Sequence, residues 1–161
     1  MIDPTTLNNI LRGCAGIYYI ISECLTKGII MTNNEKVQHW VNMSDYDIST
    51  ADDLMILKRY IYVGFMCHQA VEKILKAAYA KLTEKTPPFS HDLEYIAIQG
   101  GFYDKLSEEQ KDFILELTPL NIQARYSEYK GEIAKMLTSE KCTRILQQTK
   151  EAIQWTKKTL L

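Results

Sequence analysis

The chain has 161 residues and a formal net charge of −1, from 19 Lys and Arg against 20 Asp and Glu. Its length suits one domain and its 46% of apolar residues suffices for a core, whereas the near-neutral charge argues against a broad basic surface for nucleic acid, so that any such contact would be local. The four cysteines form neither a C-x-x-C pair nor a metal-like spacing with a His, so we predict small buried thiols in a reducing cytoplasm, with no metal and no cofactor.

Residues 1–31 are predicted to be an N-terminal extension of a helical domain that spans residues 32–161. The extension could form a short amphipathic helix that stops near Gly28. We interpret it as a packing or oligomer-forming helix, as a flexible leader, or as sequence upstream of the real start. Its longest uncharged apolar run, residues 13–22, is far shorter than the roughly 20 residues of a membrane span. No membrane association is therefore expected.

Helical periodicity predicts two long helices in the first half of the domain. The first runs from about residue 34 to 57, and Lys58-Arg59 is a candidate break after it. The second, residues 60–82, carries apolar residues on nearly all sides, which is typical of a central helix covered by its neighbours. This central helix should therefore organise the fold.

Turn and cap residues divide the middle of the chain. Pro87-Pro88 stiffens a loop after the central helix, Ser90 is predicted to cap the next helix, and Gly100-Gly101 should end it.

Capping signals predict two more helices towards the C-terminus. Ser107 with Gln110 forms a capping box, and Pro119 is predicted to close the helix that this box opens. Residues 120–129 have no clear period and are predicted to be irregular or a short helix. A final helix should span residues 139–160. No strand pattern of useful length is present, so the predicted fold class is all-α, an up-down bundle of four to five helices.

The final helix carries a mildly basic set of side chains. A solvated surface is the plain interpretation, and a nucleic-acid patch would need reinforcement from a second subunit. The cations are Lys141, Arg144, Lys150, Lys157 and Lys158.

A polar seam crosses the otherwise apolar central helix. His68, Glu72 and Lys76 are four residues apart and so stack on one face, with Gln69 and Lys73 alongside. One interpretation is a structural network that ties the central helix to its neighbours. The other is a polar floor for a phosphate or a base, with Lys73 or Lys76 as the cation.

Two further pairs of residues are candidates for a site. His91-Asp92 precedes or begins a helix, where such residues either cap and position the helix or, with Lys76, hold a ligand. Arg125 offers a planar fork for phosphate or carboxylate, and Tyr126 offers a stacking face. Alternatively, Arg125 bridges an acid at the edge of the core to its loop.

Three segments, in order and with suitable spacing, resemble the HEPN family: HQAVEKILKA at 68–77, PPFSHDL at 87–93 and ARY at 124–126. The resemblance extends over residues 32–160. It implies a helical bundle, frequently homodimeric, in a cytoplasmic context linked to nucleotides or RNA. It also implies pairing with a minimal nucleotidyltransferase in a toxin–antitoxin-like system.

The resemblance also implies a possible activity, because the active toxins of the HEPN family are metal-independent ribonucleases. Their signature is an Arg that is followed, after four to six residues, by a His. No His follows Arg125, because the last His of the chain is His91. RNA cleavage by general acid–base chemistry needs a group that titrates near neutrality. We therefore predict a module without catalytic residues that binds a nucleotide or RNA. The alternatives are a divergent ribonuclease that uses Arg125 with Tyr126 or His91, and a purely structural interaction protein.

The combined hypothesis places Glu72, Lys76, His91 and Arg125 in one polar cluster at the edge of the bundle. The predicted ligand-binding residues are Arg125, Tyr126, His91, Lys76, Glu72, Lys73 and His68.

Overall fold

The computed structural model of the chain describes residues 31–123 and 136–161. Within these residues there are five α-helices and no strand, which confirms the all-α bundle. The helices are α1 (Asn33–Ile56), α2 (Tyr60–Thr83), α3 (Leu93–Gln99), α4 (Glu108–Gln123) and α5 (Ser139–Thr159), with a 3-10 turn at Tyr103–Lys105. No helix in this part of the chain has the length and apolar content that a bilayer crossing requires. The predicted extension lies outside the described residues up to residue 30, so the domain division stays a prediction.

Helix α2 is the centre of the bundle, as its apolar surface predicts, and it packs against each of the other four helices. The core consists of α2 side chains together with residues of its neighbours, among them Val63, Val71, Leu75, Leu93, Ile96, Phe102, Leu117 and Ile145. Gly64 permits one close approach, since a Cβ atom there would lie 3.1 Å from Cδ1 of Leu120 and 3.3 Å from Cδ1 of Leu137. A functional polar group on α2 is therefore surrounded by protein on most sides.

Several predicted helix boundaries are confirmed. The break between α1 and α2 occurs at Lys58, whose φ of 54° is left-handed. The capping box of α4 forms in both directions, because the Gln110 N–H donates to Ser107 Oγ at 3.2 Å and the Ser107 N–H donates to Gln110 Oε1 at 3.0 Å. Gly101, with a φ of 70°, follows the end of α3.

The predicted cap of α3 is wrong by two residues. Asp92 is the cap, since its carboxylate accepts from the Tyr95 N–H at 3.0 Å. Ser90 acts one step earlier, because its Oγ accepts from the Asp92 N–H at 3.1 Å. Both side chains are good N-cap residues, and the acid lies nearer to the free N–H groups of the first turn.

Pro119 does not end α4, which continues through it to Gln123. The proline removes the donor that would bond to the carbonyl of residue 115, and Leu115 is on an exposed part of the helix, where water can satisfy that carbonyl. Beyond the proline, the buried Asn121 keeps the helix against the bundle. The predicted irregular stretch is therefore helical up to residue 123, and its remainder lies outside the described residues.

Most basic side chains of α5 form ion pairs with acids on neighbouring helices. Arg144 grips Glu116 of α4 through two nitrogens, at 2.6 and 3.0 Å. Lys157 and Lys150 reach α1, where they bond to Asp45 at 2.6 Å and to Asp52 at 2.7 Å. The face that looked mildly basic in the sequence is thus largely neutralised by its neighbours.

Candidate functional site

The carboxylate of Glu72 is the centre of a polar cluster on α2. Its side chain is only 1% exposed, and each of its oxygens accepts one short hydrogen bond: Oε1 from Lys76 Nζ at 2.8 Å, and Oε2 from His91 Nδ1 at 2.8 Å. Lys73 Nζ lies 3.6 Å from Oε1. We call His68, Glu72, Lys73, Lys76 and His91 the Glu72 cluster.

The charge of Glu72 is maintained by its partners. Burial raises the pKa of this carboxyl, but the nearby Lys73 and the hydrogen bonds from Lys76 and His91 outweigh burial and hold the pKa below its usual value. Glu72 is therefore ionised at neutral pH. A buried carboxylate with this many partners is costly to assemble and is stable only while its partners remain.

His68 of α2 fixes the backbone of the loop between α2 and α3 through a hydrogen bond to His91. Its ring is fully buried, and Nε2 donates to the carbonyl oxygen of His91 at 3.0 Å, because a carbonyl can only accept. Burial lowers the pKa of His68 to about 4, so the ring is neutral. Its Nδ1 atom then carries a lone pair, 3.9 Å from Glu72 Oε2, and has no donor among the described residues.

His91 is the member of the cluster that reaches the surface, with 53% of its side chain exposed. Since the Glu72 carboxylate accepts, His91 Nδ1 carries a proton and donates it to Glu72 Oε2. The ring is thereby fixed with Nε2 as the nitrogen available to solvent or to a ligand. An imidazole oriented by a carboxylate can donate to an anion when protonated and accept a proton when neutral.

Hydrogen bonds extend the cluster to α4, and a cation–π interaction extends it to α1. Lys73 Nζ donates to Gln69 Oε1 at 2.9 Å, and Gln69 Nε2 donates to Oδ1 of the buried Asn121 at 3.3 Å. On the other side, Lys76 Nζ lies 5.4 Å from the centre of the Trp40 ring, within the range of a cation–π interaction. The cluster is therefore also a structural network, as one of the two sequence interpretations expected.

Asp47 of α1 is an acid within electrostatic reach of Lys73 and Glu72 that the sequence reasoning missed. It is half-buried, and burial raises its pKa to about 6, an effect that Lys73 opposes and Glu72 reinforces. The signal was available, because Asp47 follows the fully buried Ser44 by three residues and so shares its helix face. Above pH 6 the carboxylates of Asp47 and Glu72 then balance the ammonium groups of Lys73 and Lys76.

The structure brings together three of the four residues of the combined hypothesis: Glu72, Lys76 and His91. His91 and Lys76 meet at opposite oxygens of Glu72 rather than each other. Arg125 and Tyr126 lie in residues 124–135, outside the described residues, so their part in the hypothesis stays a prediction.

The cysteines in the described part of the chain, Cys67 and Cys142, are buried free thiols. Burial raises their pKa values to about 12 and about 11, which suppresses thiolate chemistry. In the same part of the chain, no three His, Cys, Asp or Glu side chains are grouped so that they could hold a metal ion.

Comparison with known proteins agrees with the fold and with the resemblance in the three sequence segments. The model of the HEPN domain family matches residues 37–159, which is most of the chain and includes every member of the Glu72 cluster. No curated protein and no solved structure matches the chain. The match to the family model is sufficient by itself: this chain belongs to the HEPN domain family.

Proposed function

We propose that this protein is a HEPN binding module that binds a nucleotide or RNA in the cytoplasm and pairs with a separate nucleotidyltransferase. The observation that carries the proposal is the exposed imidazole of His91, fixed by a carboxylate that is 1% exposed. Glu72 already has an ammonium partner in Lys76. A purely internal network would not need an imidazole at the surface, whereas a binding site does.

The chemistry of His91 suits a nucleotide. Protonated, Nε2 donates to a phosphate oxygen, and neutral, it accepts from a ribose hydroxyl. His68 and Glu72 fix the backbone and the ring of His91, respectively, so little conformational freedom is lost when a ligand binds.

Two substitutions of His91 separate binding from structure. His91→Asn keeps a donor near the position of Nδ1 and removes Nε2, whereas His91→Gln has the reverse effect. We expect His91→Asn to keep the wild-type melting temperature without ligand and to lose affinity for ATP, GTP or a short single-stranded RNA by roughly tenfold or more. Fluorescence anisotropy with labelled ligands measures this loss.

His39→Asn is the matched control, because the His39 ring contacts Trp40 and not Glu72. It should bind as the wild type does. If the wild-type protein binds none of these ligands, or if His91→Asn binds them equally well, the binding function is rejected and the purely structural role remains.

The proposed pairing and the proposed homodimer are supported by family membership. Co-expression with a nucleotidyltransferase encoded beside this gene should give a complex of defined mass in light scattering, and the protein alone should have the mass of two chains. A protein that is monomeric alone and forms no complex with the nucleotidyltransferase would reject both the homodimer and the pairing.

A second candidate function, metal-independent RNA cleavage, is favoured by the Glu72–His91 pair. In this reaction His91 Nε2 would take the proton of a 2′-hydroxyl, whose oxygen attacks the phosphorus while the 5′-oxygen leaves and takes a proton from water, giving a cyclic phosphate and a free 5′-hydroxyl. RNA incubated with EDTA should then be cut by the wild type and not by His91→Asn. Intact RNA at high protein concentration rejects this candidate and leaves the binding function untouched.

A further inference from the structure

Phe89 is the most exposed large apolar side chain in the described part of the molecule, at 109% of the reference value. It lies in the loop between α2 and α3, at the apex of a three-residue turn that the Ser90 N–H closes on the Pro88 carbonyl at 2.9 Å. The ring therefore projects into solvent, and the fold forgoes the stabilisation that burial of a phenylalanine would give.

The loop that carries Phe89 is held on both sides of the turn. Pro87 and Pro88 fix two φ angles before it. After it, the His91 carbonyl accepts from His68 at 3.0 Å and the His91 ring bonds to Glu72 at 2.8 Å. The aromatic ring is thus presented by a braced loop, which reduces the entropy lost when a partner packs against it.

Phe89 is two residues from His91, so at most about 7 Å of chain separates their Cα atoms. That spacing is on the scale of one nucleotide. An aromatic face can stack on a base without regard to its identity, while the imidazole beside it provides a polar contact for ribose or phosphate. We propose that Phe89 stacks on the nucleobase of the bound nucleotide. This inference rests on the proposed function and adds the residue that recognises the base.

The surroundings of Phe89 favour a base over a protein surface. A stable protein interface covers about 800 Å² on each partner around an apolar centre. The neighbours of Phe89 in the loop are largely polar and include the exposed Lys85 and Asp92. An exposed ring within a polar loop and next to an oriented imidazole fits a small planar ligand better than it fits a protein partner.

The test compares AMP with ribose 5-phosphate, which lacks the base, by isothermal titration calorimetry on the full chain. Phe89→Ala should weaken AMP by roughly tenfold to a hundredfold and leave ribose 5-phosphate unchanged. Phe89→Trp should keep the AMP affinity that Phe89→Ala loses. Its tryptophan fluorescence should also be quenched by AMP more strongly than that of the wild type, which has only the native tryptophans. Tyr95→Ala is the matched control, because Tyr95 is another exposed aromatic residue, on α3, and it should have no effect.

Three results would overturn the inference. If Phe89→Ala binds AMP as the wild type does while His91→Asn does not, the stacking role fails and the proposed function stands. If the wild type binds neither AMP nor ribose 5-phosphate, the stacking role fails, and the proposed function fails with it only if ATP, GTP and single-stranded RNA do not bind either. If Phe89→Ala leaves AMP binding intact but abolishes the dimer or the complex with the nucleotidyltransferase, Phe89 is a protein contact instead.

Discussion

Among individual residues, Glu72 is expected to have a large effect on stability. Its carboxylate is 1% exposed and opposes the ammonium of Lys76, itself 9% exposed, at 2.8 Å. Glu72→Gln would leave Lys76 buried without its counter-charge, so we expect a loss of about 3 kcal/mol in the free energy of unfolding. Urea denaturation measures it. Glu116→Gln, which breaks the more exposed pair with Arg144, should cost less than about 1 kcal/mol. Equal losses would contradict the burial argument.

Asp47 should make stability depend on pH near neutrality. Its pKa is raised from 3.8 to about 6 in the fold, so the folded protein binds its proton more tightly than the unfolded chain does. The resulting stabilisation is complete below pH 3.8 and disappears as the pH rises through 6. Asp47→Asn should therefore match the wild type near pH 4 and exceed it by about 1 kcal/mol at pH 7.5, once solvent screening of this half-buried group is allowed for.

The pKa shift of His68 makes stability depend on pH in the opposite direction to that of Asp47. The pKa of His68 falls from 6.5 to about 4 on folding, so its stabilisation is present above pH 6.5 and is lost as the pH falls towards 4. In the wild type the two groups partly cancel between pH 4 and 6.5. Asp47→Asn should thus lose stability more steeply than the wild type on acidification. Parallel curves would show that Asp47 has no raised pKa.

At the level of helices, the C-terminus of α2 offers a paired test. Glu84 has a left-handed φ of 57°, and its N–H donates to the Ala80 carbonyl at 3.0 Å, a position that favours glycine. Glu84→Gly should raise the free energy of unfolding by about 0.5–1 kcal/mol, because a side chain there is strained. Lys81→Gly, inside the last turn, should lower it by about 1 kcal/mol. Thermal and urea denaturation give both values, and two changes of the same sign would contradict the assignment of the cap.

The helices were largely predictable because local capping interactions determine where most of them begin and end. Ser107 with Gln110 gave the start of α4 from side chains that bond their own first turn. The prediction that Pro119 ends α4 was wrong because it used a local rule alone. A proline breaks an isolated helix, but the packing of residues beyond it, such as the buried Asn121, decides whether the helix continues. Local rules contain no information about that packing.

The site was predictable only where its residues share one helix. The spacing of His68, Glu72 and Lys76 placed them on one face. The bond from His91 to Glu72 spans 19 residues, and the sequence predicted only that the two residues share one cluster, with His91 paired to Lys76. The exposure of Phe89 follows from a turn that no periodicity encodes.

In the part of the molecule that the structure describes, seven of the fourteen Lys and Arg side chains form ion pairs with acids. Lys157 and Lys150 pair with α1, Arg144 pairs with α4, and Lys76 is enclosed with Glu72. With a net charge of −1, the chain has no overall excess of positive charge with which to follow a phosphate backbone. Affinity for RNA should then come from a local contact at His91 rather than from the field of the whole protein.

A local contact at His91 predicts a weak dependence of RNA affinity on salt concentration. If only one or two phosphates are contacted, affinity for single-stranded RNA should fall by about three- to sevenfold between 50 and 200 mM salt, because the logarithm of affinity falls by roughly 0.7 per phosphate for each tenfold rise in salt. Oligonucleotides of different length should bind each site equally well. Anisotropy titrations at several salt concentrations measure the slope, and His91→Asn should flatten it. A loss of a hundredfold or more would instead require a broad basic surface, which the ion pairs of α5 argue against.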